Sequence, residues 1–289
     1  MLSPFSRLSQ SCDSTELGPA VENLQKKRGV IVFKKSALAL IAFALIAAIS
    51  AIAAYGQTTE VKEKPRMYTY VADWVIPRSE WGEMEKVSAT IQPDFDKAVA
   101  DGTLVGYGDD TTLVHHEDGN TNDTWWSSMS MAGLIKVLEQ VRKTANPTAP
   151  PLSTATKHWD NVYVSRYYNW KKGSWKGVYT SESAYKLKED APNDAVDQLS
   201  KNLVVPLMEK MLADGTIVEY EIDTLAVHTE APGMFYIVYI GATADALDKV
   251  SAAIRESLKA NPLSGPAFAS MVDSAHHRDE LARTNATYK

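Results

Sequence analysis

The chain has one cysteine, Cys12, close to its amino terminus, so the long remainder offers no disulfide, no thiolate metal ligand and no cysteine nucleophile. Histidine is scarce, six residues in all. The adjacent pairs His115-His116 and His276-His277 would project apart on a strand, no spacing matches a zinc or facial-triad site, and no metal is expected. No G-x-S-x-G, no P-loop and no dinucleotide fingerprint occurs, so no cofactor is expected either. Positive charge is also short: 30 Lys and Arg stand against 36 Asp and Glu, a formal net charge of −6. Residues 1–56 carry a net +3, which leaves −9 on the rest. So acidic a domain has no electrostatic footprint for nucleic acid.

One long apolar run is present. Ser36 to Ala54 is uncharged, follows Lys34 and Lys35, and ends in the small-residue steps Ala51-Ile52-Ala53 and Ala54-Tyr55-Gly56. A basic stretch, an apolar stretch and a small-residue cleavage site read as a signal peptide over residues 30–56, with an uncleaved anchor as the alternative. Both readings put the rest of the chain outside the cytoplasm, periplasmic or extracellular, and in contact with a membrane only through the leader. The polar stretch 1–29 reads as a doubtful leader or an overcalled start, with Val30 as initiator. Residues 57–66 read as a linker.

Beyond the linker the sequence repeats itself. Asp96 to Glu117 aligns without a gap on Glu209 to Glu230, and Asp101, Gly102, Thr103, Tyr107, Asp110, His115 and Glu117 recur at one constant offset. Pro93 and Pro206 keep that offset, inside apolar stripes of helical spacing, and a kink or break is expected at both. Repeat 1 is assigned to residues 67–172 and repeat 2 to residues 173–289. Each reads as strand, helix, strand, strand, helix, strand. Long β segments are expected over Thr103–His115 and Thr216–His228, bent at Asp110 and Asp223. The last strand of the second repeat is faint, and SAHHRDELAR around His277 reads as helix. Tyr167–Trp175 reads as a junction loop that covers a sheet edge or contacts a sugar or partner.

A β-α-β-β-α-β order is the ferredoxin-like split motif. From Met67 to Thr287 the chain resembles the dimeric α+β barrel superfamily, written in tandem as a single-chain pseudo-dimer, and a group of secreted bacterial proteins without an assigned activity. The resemblance rests on element order and duplication, and implies two sheets facing one another about a shared space. Known members include cofactor-independent oxygenases, isomerases, haem-handling enzymes and ligand binders, so fold alone does not fix function.

The candidate site residues follow from the repeat. His115 and His228, at matching strand ends, could serve as proton donor and acceptor. His158 with Asp160, and His277 with Asp279, could form acid-base pairs if they share a strand face. Tyr107 and Tyr220, with Trp125, Trp126, Phe235 and Tyr239, could line a pocket for a flat or greasy molecule. The expected function is binding of a small apolar or aromatic molecule between the sheets. A cofactor-independent oxygenase or isomerase with a histidine base, and an envelope interaction module with a filled core, are the alternatives.

Overall fold

Period-two alternation of aromatic and β-branched residues with polar ones builds strands that bury one face under helices and turn the other inward. The computed structural model describes residues 61–289; the expected leader, the signal peptide and the first residues of the linker lie outside them. The described chain runs β1 (Met67–Val75), α1 (Met84–Asp101), β2 (Gly106–Thr112), β3 (Asn122–Ser128), α2 (Met131–Thr144) and β4 (Lys157–Trp170). It continues through β5 (Gly173–Leu187), α3 (Ala195–Leu199), α4 (Val205–Asp214), β6 (Ile217–Leu225), β7 (Met234–Gly241), α5 (Ala244–Ala260), α6 (Ser264–Met271) and β8 (Val272–Tyr288).

All strand pairs are antiparallel, and the sheet closes into a barrel in the order β1-β3-β2-β8-β5-β7-β6-β4. Read by halves this is β4-β1-β3-β2 followed by β8-β5-β7-β6, the same order twice. The β2–β8 and β6–β4 pairings are the two seams. Closure leaves no free sheet edge.

Helices cover the outside. Ile91, Phe95 and Ala98 of α1 and Leu134 and Val137 of α2 pack on Tyr70, Tyr107 and Trp126 of the first half. Met208, Met211 and Leu212 of α4 and Val250 of α5 pack on Tyr167, Tyr220 and Ile222. The helix ends match as well. Gly102 and Gly215 terminate α1 and α4 at φ 81° and 84°, the left-handed region where glycine has no Cβ penalty. Asp101 and Asp214 then accept from the amides of Thr103 and Thr216, each at 2.9 Å. Among the described residues no helix is long and apolar enough to cross a membrane.

The structure corrects four local expectations. β2 and β6 stop at Thr112 and Leu225, so His115 and His228 lie in the loops beyond. Residues around His277 are strand, not helix: Arg278 to Arg283 pair with β5, Ala282 and Arg283 pair with β2 as well, and these ladders outweigh the helical propensity of the segment. Tyr167–Trp175 is not a loop, since β4 runs to Trp170 and β5 starts at Gly173. Pro93 does not break α1, because its exposed position lets the freed carbonyl of Ala89 reach water; before Pro206 the chain passes through a π-helical turn, Ser200–Val204.

Candidate functional site

The inward face of the barrel is acidic. A lumen of about 110 Å³ is lined by ten Asp and Glu side chains, with Arg278 the one Lys or Arg among them. Strand parity places them. On β6, Glu219, Glu221 and Asp223 point inward while Tyr220 and Ile222 point to the helices. On β2 the inward positions are Gly106, Gly108 and Asp110, with Tyr107 outward. Asp73, Asp123 and Asp110 are direct cross-strand neighbours on β1, β3 and β2, and Glu182 faces Glu280 across β5–β8. Like charges placed directly opposite destabilise a sheet. The row is tolerable only where the carboxyls hold protons or meet a cation.

Burial supplies the first condition. Asp110, Asp123, Glu219, Glu221 and Asp223 are all buried. Loss of hydration pushes Asp110 up to about 8 and Glu221 up to about 7. Asp73 is also lifted to about 7 by burial, against a hydrogen bond from Asn120 that favours its charge. Asp123, Glu182, Glu219 and Asp223 lie well above the usual carboxylate range, through burial first and neighbouring carboxylates second.

Some of these groups are well partnered. Asn120 Nδ2 donates to Asp73 at 2.6 Å and to Asp123 at 3.2 Å, and Thr69 Oγ1 donates to Glu221 at 3.3 Å. Two are not. Asp110 Oδ1 and Asp223 Oδ1 are buried without a hydrogen-bond partner, although each residue is under a tenth exposed, at 6% and 2%. The two are equivalent. Asp110 pairs with Thr284 at one seam and Asp223 with Ser165 at the other. Because β2 and β6 are four places apart in the eight-strand order, these carboxyls line opposite walls of the lumen. An orphaned buried acceptor is costly, on the order of 1–3 kcal/mol, more when charged.

Towards the β2–β3 and β6–β7 loops the lumen is lined by His116, Asp118, Asn120 and Glu230. His116 and Asp118 are exposed, so this end reaches solvent. The opposite end is floored by the rings of Trp125 and Tyr288, 5.7 Å apart, packed with Val178, Val218 and Ile240.

Of the aromatic residues expected to line a pocket between the sheets, only Trp125 reaches the lumen, while Tyr107, Trp126 and Tyr239 border clefts on the outer, helix-covered face. Tyr107, Trp126, Tyr220, Phe235 and Tyr239 face the helices as core. His115 and His228 are exposed, outside the lumen, and His115 stacks on Trp81 at 4.8 Å. The structure does bring His158 to Asp160, Nε2 to Oδ1 at 3.4 Å, and His277 to Asp279 at 3.0 Å. Their rings stack on Trp74 and Tyr185, on the outer face of the sheet. Sequence reasoning missed Glu182, Glu219, Glu221 and Glu280, and Tyr163, Tyr236 and Tyr288. The available signal was the alternation Glu219-Tyr220-Glu221-Ile222-Asp223, which puts every acid on one strand face.

No protein-family model matches the sequence, and no curated protein matches it. Among solved structures, a candidate monooxygenase from Lactobacillus acidophilus NCFM superposes with TM-score 0.54 at 13% identity, covering 77% of this chain and 96% of that one. A candidate monooxygenase from Fusobacterium nucleatum gives TM-score 0.56 at 7% identity, over 77% and 94%. These likenesses show the fold, which is of the dimeric α+β barrel type. A haem does not fit this lumen, whose volume suits a few heavy atoms and whose one histidine, His116, sits in a loop.

Proposed function

We propose that this α+β barrel protein binds a small cation in its lumen. The observation that carries the reading is the pair Asp110 and Asp223 on opposite walls, both buried, at corresponding places in the two seams, each with an oxygen lacking a partner. A cation between them would satisfy both and relieve the like-charge row beside them. The lumen favours a cationic ligand over the apolar one expected from the sequence, because its lining is dominated by carboxyls and, of the aromatic residues behind that expectation, only Trp125 reaches it. The lumen volume favours a compact ligand, smaller than the drug-sized molecules that occupy roughly 300–1,000 Å³ pockets.

Two further elements belong to this proposal. The halves are copies of one duplicated ferredoxin-like unit, a reading supported by the constant offset of Asp110 on Asp223 and by the matching helix caps. The protein works outside the cytoplasm, a reading supported by the apolar run behind Lys34 and Lys35.

The test is calorimetric titration of the full chain with methylammonium, tetramethylammonium and Mn²⁺ at pH 7.5, repeated on an Asp110→Asn, Asp223→Asn double variant. Binding of at least one cation that weakens about tenfold or more in the double variant supports the reading. Equal affinity in both proteins, or no cation bound, ends it.

A further inference from the structure

The two halves are not equivalent at the floor of the lumen. The repeat sets Gly106 opposite Glu219 and Gly108 opposite Glu221. The glycines are spatial necessities. A Cβ on Gly106 would run into the ring of Tyr288, and one on Gly108 into the ring of Trp125. Half of the floor has therefore given up side chains so that two aromatic rings can lie against β2, while the other half presents two buried carboxyls from β6. Burial first, and then the four acids Glu219, Glu221, Asp110 and Asp223, hold the Tyr288 hydroxyl well above its ordinary value. Rings and carboxyls thus share one small volume.

From this arrangement we infer that the cation is an organic ammonium, seated against the Trp125 and Tyr288 rings and neutralised by the surrounding carboxyls. The inference rests on the cation-binding reading above and narrows it. An aromatic face attracts an ammonium through its quadrupole, Trp most strongly, and contributes more when water is excluded. A hard metal ion instead needs several oxygens converging at about 2.0–2.6 Å. Among the described residues no three His, Cys, Asp or Glu side chains converge in that way. The lumen acids are spread along the wall, as suits the diffuse charge and methyl surface of an ammonium. A volume of about 110 Å³ also fits a methylated amine of a few heavy atoms, since roughly 150 Å³ holds benzene.

The experiment titrates tetramethylammonium and Mn²⁺ into the full chain and into Trp125→Leu and Trp125→Phe. The expected result is tetramethylammonium affinity lowered roughly tenfold by Trp125→Leu and less by Trp125→Phe, with any Mn²⁺ affinity unchanged. Should circular dichroism show Trp125→Leu unfolded, Trp125→Phe carries the comparison, and a several-fold loss is required of it. Mn²⁺ binding without ammonium binding, or ammonium affinity indifferent to the folded Trp125 variants, overturns this inference and leaves the cation reading standing. Absence of any bound cation overturns both.

Discussion

The hydroxyl of Tyr220 donates to Oε1 of Glu209 at 2.6 Å, fastening β6 to α4 outside the barrel. Tyr107 makes the equivalent bond to Asp96 at 2.7 Å, between β2 and α1. A tyrosine whose polar tip is held by a helix carboxylate cannot also present it to the lumen. Tyr220→Phe should therefore cost stability and not binding. Glu209 keeps its contacts from Asn169 Nδ2 at 2.9 and 3.1 Å, so the loss is about 1 kcal/mol, or roughly 2–4 °C in Tm. Thermal melts and cation titration of the same variant check both halves of the expectation.

Stability should fall as pH rises through neutrality. Asp73 and Glu221 stand at about 7 and Asp110 at about 8 in the folded protein, against ordinary carboxylate values when unfolded. Between about pH 4 and pH 8 the folded state therefore binds more protons than the unfolded one, and its advantage shrinks with each pH step. The ligand-free protein should melt several degrees lower at pH 8.5 than at pH 5.5. A melting temperature that rises over this interval contradicts the protonated lumen.

The element order of the first half as far as β4, and the constant offset of Asp110 on Asp223, could be read from residues alone, because a gapless alignment preserves both offset and pattern. The polarity of the lumen was harder to read. In a sheet with helices on one face, aromatic residues such as Tyr107 and Tyr220 fit either face equally well by composition. Only the packing of Phe95 and Met208 against them decides it. Acids on the other face look like a solvent-exposed side until the barrel closes over them. β8 was hidden for a related reason: its helix-favouring residues become strand through two neighbours far away in sequence, β2 and β5. The stops of β2 and β6 short of their histidines likewise depend on loop geometry that a strand pattern does not encode.

Asp110→Asn should flatten that pH dependence. The amide keeps the size of the carboxyl and removes its ionisation, so the cost of charging the site at high pH disappears. We expect the variant to match the parent near pH 5 and to exceed its melting temperature at pH 8.5. Asp223→Asn, at the opposite seam, should act in the same direction, and the double variant should show the shallowest slope. Parallel pH profiles for parent and double variant would exclude these two residues as contributors.

His115→Ala and His228→Ala should leave cation affinity within about twofold of the parent. Both side chains are exposed in loops beyond β2 and β6, and exposed substitutions usually move stability by no more than about 0.5 kcal/mol. His115 has one feature of its own, its stack on Trp81, so a small additional loss of stability is expected for His115→Ala alone. A marked loss of affinity in either variant would relocate the site to the loops and away from the lumen.

Gly108→Ala tests the floor of the lumen most directly. The added methyl would occupy the space of the Trp125 ring and would also press on the carbonyl of Asn285, at 2.7 Å. Backbone in a closed barrel yields little, so the ring must move. Overpacking of this kind costs about 1–3 kcal/mol, and a displaced indole no longer presents its face to the lumen. Gly108→Ala should thus lower stability and ammonium affinity together, and shift the tryptophan fluorescence maximum as the ring changes surroundings. Val250→Ala, a cavity-forming change under α5 in a cluster that contains no tryptophan, supplies the control: it should lower stability by a comparable amount while leaving the fluorescence maximum in place. If Gly108→Ala resembles that control in both measurements, the glycine serves packing alone.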